Sequence, residues 1–159
     1  GEMKDVLTSV RVMTEEGEIM ELPAEELGLG YRTSIIPEKR YIVLGAVISL
    51  TEGKKEEIKA QMDDLRQKRV SKQPLEYPSA GSTFKRPEGY FAGKLIQDSG
   101  LKGFTVGGAQ VSEKHSGFVI NKGNATAADV MELIRQVTAK VKEDTGVTME
   151  PEVKQIGEF

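Results

Sequence analysis

Apolar residues along this chain follow two periods, and the stretches without either period separate its elements. Val6, Val10 and Val12 stand at even spacing, Glu16-Gly17 offers a turn and Ile19-Met20-Glu21-Leu22 follows, which predicts a β-hairpin over residues 4–22. Residues 40–50, RYIVLGAVISL, form an unbroken β-branched run and predict a buried strand. Between them ELGLGYRTSIIPE mixes glycines, a proline and both polarities, as a loop does. Over residues 53–69, Ile58, Met62 and Leu65 recur at spacings of four and three inside a charged sequence. That predicts an amphipathic helix with one narrow apolar stripe, joining two domains.

The second half reads as follows. Residues 70–91 are aperiodic and proline-containing, and predict an extended loop, while residues 92–99 predict a short helix through Leu95 and Ile96. Two strands are expected at 104–112 and 116–121, joined near Lys114-His115. Residues 126–145 give the plainest helix. Thr126 and Asp129 have capping-box spacing, Val130, Leu133, Ile134, Val137 and Val141 line one face, and Gly146 is a natural stop. VTMEPEVKQI, residues 147–156, predicts a last strand whose proline must sit at an edge or bulge. Strands and helices alternate without a βαβ period, so the class is α+β, with a domain limit near residues 68–72.

Composition narrows the function classes. With 159 residues, 38% hydrophobic and 30% charged, the chain is an ordinary globular sequence with room for one domain, or a small domain and part of another. A net charge of −3 argues against a general nucleic-acid binder. Without cysteine there is no disulfide, no thiolate metal site and no cysteine nucleophile, which fits a reducing cytoplasm. No apolar run approaches the roughly 18–20 residues that span a bilayer, and the start GEMKDVLTSV lacks a signal-peptide pattern. It also lacks an initiating methionine, as a processed start or a piece of a longer chain would. No His/Asp/Glu cluster has metal-ligand spacing, so no metal is expected.

Candidate chemistry concentrates between Ser71 and Lys102. There Lys72, Lys85, Arg86, Lys94 and Lys102 outnumber Glu76, Glu88 and Asp98. These cations either converge on an anion such as a diphosphate or stand solvated. Ser82, in SAGSTFKRP, is not in a G-x-S-x-G elbow and by itself reads more readily as a turn residue than as a catalyst. His115, the single histidine, lies in a polar turn. Arg32, after Tyr31, either clamps a carboxylate or pairs with Glu25 or Glu26. Glu152 is either an inward acid with raised proton affinity or an exposed edge glutamate. No glycine-rich dinucleotide or Walker loop is present.

Taken together, YPSAGSTFKRP, GYFAGKLIQDSGLKGFTVGGAQVSEKHSGFVINKGNAT and MEPEVKQIGEF resemble the C-terminal region of the UDP-N-acetylenolpyruvoylglucosamine reductase family, in order and spacing. GEMKDVLTSV and LGLGYRTSII resemble the part of its flavin-binding domain that lies just before the substrate domain, and HSGFVIN resembles the shorter subgroup. The resemblance implies a cytoplasmic enzyme of peptidoglycan synthesis. In it NADPH reduces FAD, and the reduced flavin converts UDP-N-acetylglucosamine enolpyruvate to UDP-N-acetylmuramate. It implies Ser82 as proton donor, and Arg32 and Glu152 as residues that bind and polarise the substrate carboxylate. It places Tyr31, Lys72, Lys85 and Arg86 at the substrate, although some members carry asparagine at the position of Arg86. It assigns no residue of this chain to the flavin.

Members also carry an upstream glycine-rich segment around the FAD diphosphate, and these 159 residues contain no counterpart. The expectation is an incomplete flavin-binding domain over residues 1–69 and a substrate-binding domain over 70–159. It includes apolar strand edges exposed over residues 6–50, self-association there, and no flavin or turnover in the chain alone. Two alternatives are a sugar-nucleotide-binding module without catalysis and one half of a split flavoenzyme. Retention of Arg32, Ser82 and Glu152 together argues against the pure binder, which has no need of a proton donor.

Overall fold

The computed structural model describes residues 1–157. The chain divides into two compact units, Gly1–Ile58 and a second beginning at Lys59. The change of unit falls early in the predicted connecting helix.

In the first unit the predicted hairpin is present as β1 (Leu7–Met13) and β2 (Ile19–Pro23), with Gly17 at φ 86 in the turn. β1 also pairs antiparallel with β3 (Ile42–Ile48), so the sheet order is β2-β1-β3. A 3-10 turn (Ala24–Leu27) and a short helix α1 (Ile35–Glu38) interrupt the expected loop. Val10, Val12 and Leu27 form the buried centre, packed by Leu22, Ile35, Ile36 and their neighbours.

β3 corrects the expectation of a buried strand. It lies at the edge of its sheet, and adjacent residues pointing to opposite faces are both open, Val43 at 51% and Leu44 at 40% exposure. A continuous apolar run states what environment a strand suits, but covering layers must come from elsewhere. α2 (Lys55–Lys72) forms as a helix, yet Ile58, Met62 and Leu65 are exposed, so the predicted stripe is not a core face.

The second unit has a four-stranded antiparallel sheet, β4-β7-β6-β5, made of Ser79–Ser82, Phe118–Asn121, Ala109–Val111 and Thr105–Val106 respectively. The strand expected at 104–112 is thus two short strands, broken at Gly107-Gly108 into a hairpin. α3 (Ala92–Asp98) buries Leu95 and Ile96 as expected. α4 (Ala127–Thr145) follows its predicted signals to the residue: Thr126 and Asp129 close the capping box, and Gly146 at φ 74 ends it. Leu133, Ile134, Val137 and Val141 are buried against the core and Val130 is half-buried. Burying side chains of that size stabilises by about 1.5–3 kcal/mol each relative to exposure. The last predicted strand is instead one isolated bridge between Phe84 and Pro151. Pro151 has no N–H to continue a ladder.

The Gly107-Gly108 break is fixed by α4. A Cβ on Gly108 would stand 2.2 Å from the Gly123 carbonyl oxygen and 2.4 Å from the Ala125 nitrogen. Asp129 also accepts from the Gly108 amide at 3.4 Å and from Thr126 N at 2.9 Å. Gly108→Ala is therefore expected to lower the unfolding free energy by about 1–3 kcal/mol through overpacking. Gly123→Ala, whose Cβ meets nothing within 4 Å, is expected to stay near wild type. Denaturant unfolding of both variants checks the contrast.

The hydrogen bond from the Thr126 backbone, with that from its side chain, holds the Asp129 carboxyl below its ordinary 3.8. A carboxyl depressed in the folded state stabilises above its unfolded value and loses that contribution as pH falls through the folded value. The stability gap between wild type and Asp129→Asn is expected to be constant above about pH 5 and to close at lower pH. Urea unfolding as a function of pH reads it directly.

Candidate active site

Ser82 is the last residue of β4, where the strand pairs irregularly with β7: Ser79 lies opposite Ile120 and Ser82 opposite Phe118. Between them Gly81 takes φ 88, a left-handed conformation that suits glycine. Ser82 itself is exposed. Its position is set by the next residue, Thr83, which is only 3% exposed. The Thr83 amide donates to the Gly117 carbonyl at 2.8 Å, and its hydroxyl accepts from the Val119 amide at 3.0 Å. Its carbonyl accepts from the Glu152 amide at 2.8 Å.

That last bond ties the serine loop to the C-terminal segment. Lys85 N donates to Glu150 O at 2.9 Å, and Phe84 bridges Pro151 between the two bonds. Residues 83–85 and 150–152 therefore run side by side, anchored by buried Phe84 and Met149. Glu152 is half-buried on this junction, one pairing step from Ser82. The structure thus brings together two residues 70 positions apart whose spacing alone left several readings open.

Of the cations between Ser71 and Lys102, Lys85, Arg86 and Lys94 each take a separate partner. The Lys85 ammonium pairs with Glu150. Arg86 stacks over Phe91 with its guanidinium carbon 4.0 Å from the ring centroid, and its Nε donates to the Tyr90 carbonyl at 3.2 Å. Lys94 pairs with Asp98 along α3 at 2.8 Å. Lys72 ends α2 and is exposed, as is Lys102.

A different cationic pair adjoins the chain before β4. Lys122 donates to the Tyr77 hydroxyl at 2.7 Å and lies 4.3 Å from that ring's centroid. The hydrogen bond to Tyr77 holds the ammonium above its ordinary value. Lys114 reaches the Val70 carbonyl at 2.8 Å and Glu76 at 3.4 Å. Neither lysine stood out in sequence, since each sits in a short polar turn that reads as solvent-facing. Ser79, Thr83, Val119, Ile120, Asn121 and Ile134 help line an open hollow of about 380 Å³ beside β4. His115 faces Phe118 edge-on at 4.9 Å, and its Nδ1 accepts from Gly117 N at 3.1 Å.

Tyr31 and Arg32 belong to the first unit. They form the corner of a tight turn closed by Gly30 N to Thr33 O at 3.1 Å and Thr33 N to Gly30 O at 3.3 Å. Arg32 takes φ 57, a region that costs a side-chain-bearing residue about 1 kcal/mol or more. Both residues line an open cavity of about 590 Å³ with Lys4, Leu29, Ser34 and Pro37.

The first turn of α4 and the Gly107-Gly108 corner are not open to a diphosphate. The first turn of α4 is capped by its own Thr126 and Asp129, and the space above Gly107-Gly108 is filled by Asp129 and the 123–125 backbone. Among the described residues no group of three or more potential ligands could hold a metal ion. Nor is any described helix long and apolar enough to cross a membrane.

Thr83→Val tests what holds the site. It removes the hydroxyl that satisfies the Val119 amide and leaves that buried donor without its partner. The expected loss is about 1–3 kcal/mol of stability. Denaturant unfolding measures it, with faster amide exchange at Val119 as the local signature.

Comparison with known proteins gives a consistent picture. The sequence model described as UDP-N-acetylenolpyruvoylglucosamine reductase, C-terminal domain, matches residues 73–156. The UDP-N-acetylenolpyruvoylglucosamine reductase of Agathobacter rectalis is 64% identical over 159 residues, covering 100% of this chain and 51% of its own length. That of Lachnoclostridium phytofermentans is 61% identical over 99% of this chain and 51% of its own length. The crystal structure of UDP-N-acetylenolpyruvylglucosamine reductase (MurB) from Thermus caldophilus superposes with a TM-score of 0.82 at 41% identity, over 97% of this chain and 54% of that one. The chain spans about half the length of the curated relatives it matches.

Proposed function

This chain belongs to the family of the UDP-N-acetylenolpyruvoylglucosamine reductase C-terminal domain, and we propose that it carries the substrate-handling side chains of such a reductase. The reaction is the reduction of UDP-N-acetylglucosamine enolpyruvate to UDP-N-acetylmuramate, with FAD and NADPH, for peptidoglycan synthesis. Residues 70–159 are the substrate domain and residues 1–69 part of the flavin domain. FAD, when bound in the complete protein, supplies the hydride. The chain alone is expected to show no turnover.

The observation that carries the reading is the bond from Glu152 N to Thr83 O at 2.8 Å, which fixes Glu152 beside the residue following Ser82. In this proposal Arg32 holds the enolpyruvyl carboxylate and stabilises the negative charge that develops next to it, and Glu152 polarises the substrate beside Ser82. Preorganised groups of this kind contribute about 3–4 kcal/mol each when removed one at a time. The Ser82 hydroxyl gives its proton to the carbon adjacent to the carboxylate. A hydroxyl is a weak acid, so the transfer needs a strongly basic, enolate-like carbon held within hydrogen-bond reach. The left-handed backbone of Arg32 supports its part: a strained arginine at the rim of a cavity is held there by its surroundings.

Ser82→Ala in the complete protein is the test. Flavin reduction by NADPH is expected to proceed at the wild-type rate, while reoxidation by the enolpyruvyl substrate slows about 10²–10⁴-fold. Stopped-flow absorbance of the two half-reactions separates them. Normal rates in both would remove Ser82 as the proton donor. Binding of the UDP-sugar without any half-reaction in the unsubstituted protein would favour the non-catalytic module.

A further inference from the structure

We infer that Glu150, through its ion pair with Lys85, is a positioning residue for Ser82 and Glu152; the inference rests on the reductase reading above. The junction that carries both site residues is anchored at its Thr83 end and more open at its Lys85–Glu150 end. Two backbone hydrogen bonds join its sides, Lys85 N to Glu150 O at 2.9 Å and Glu152 N to Thr83 O at 2.8 Å. Between them stands Pro151, which can donate nothing. Thr83 and Phe84, each 3% exposed, anchor one side, and Met149, at 2%, anchors the other.

The site residues sit at one end of this short pairing, Ser82 just before Thr83 and Glu152 opposite it. Lys85 and Glu150 face each other at the other end and join their side chains there. The Lys85 side chain is 38% exposed, so its stem is largely enclosed and its ammonium has few alternative positions. Glu150 is more open, with its side chain 69% exposed. As a contribution to global stability such a pair is small. Its effect is local, because a pairing held by two bonds can slide or fray at an end that no side chain closes. A displacement near 1 Å at reacting groups is enough to slow chemistry substantially.

The same contact changes the part assigned to Lys85. With its charge on Glu150, Lys85 acts through the junction, not as a direct substrate contact.

Charge reversal decides between these roles. The protein used is a complete reductase in which residues 1–159 replace the matching half of a full-length relative. Lys85→Glu and Glu150→Lys are each expected to slow flavin reoxidation by the enolpyruvyl substrate about tenfold, with KM within about twofold of wild type. NADPH-dependent flavin reduction is expected to stay unchanged in both. The double reversal restores the pair with opposite polarity and is expected to recover most of the rate. If Lys85 contacts the substrate itself, Glu150→Lys alone has little effect and the double variant stays as slow as Lys85→Glu, which overturns the inference. Should a reversal fail to fold, Glu150→Gln in the same protein decides: a lower kcat at constant KM supports the inference, and an unchanged kcat overturns it. A complete protein without any substrate half-reaction overturns the reductase reading first, and the positioning role falls with it.

Discussion

Thr83 is enclosed by the chain and gives each of its polar atoms to a different neighbour. Its amide bonds to Gly117, its hydroxyl takes the Val119 amide, and its carbonyl takes the Glu152 amide. An unpaired polar group in so enclosed a place would cost about 1–3 kcal/mol, so the three bonds constrain one another. Once they are made, the end of β4, the middle of the sheet and the C-terminal segment have a single mutual arrangement. Ser82 and Glu152 are held where they are as a consequence, being the immediate neighbours of this residue and its partner.

The remainder of the second unit supports that arrangement from below. α4 lays four buried aliphatic residues on the core, and its capped first turn grips the Gly107-Gly108 corner, which sets where β5 and β6 turn. Met149 continues the same core one residue before Glu150. The candidate chemistry therefore sits on a packed platform, although Ser82 itself is exposed. The first unit is built differently. It has three buried aliphatic residues at its centre, a strand open on both faces, and a strained turn carrying Tyr31 and Arg32.

Local signals were legible wherever the code is local. The Thr126/Asp129 box, the Gly146 stop and the Val130-to-Val141 stripe define α4 within the sequence, because capping and helical periodicity involve residues a few positions apart. The hairpin at Gly17 was legible for the same reason. The expectation failed where burial depended on distant residues. β3 has the composition of a core strand, but composition does not supply a covering layer. The break at Gly107-Gly108 was also hidden, since its cause is the approach of residues 123–129. For the site, the motifs around Arg32, Ser82 and Glu152 supported a family resemblance, while the residue types alone pointed first to a turn serine and an edge glutamate.

By itself, then, the sequence determined the α+β class, the extent of the long C-terminal helix and the absence of cysteine chemistry, all of which depend on composition or on neighbours along the chain. Only the tertiary structure decided that Ser82 and Glu152 share one junction, that Lys85 answers to Glu150, and that Arg86 lies against Phe91. Those pairings depend on which surfaces close over Thr83 and Phe84. Backbone bonds between positions so far apart in sequence, such as the one between Thr83 and Glu152 with its companion between Lys85 and Glu150, leave no periodic trace in the chain. A hydrogen bond between distant amides is satisfied equally by almost any side chains, so it becomes visible only when the backbone is folded.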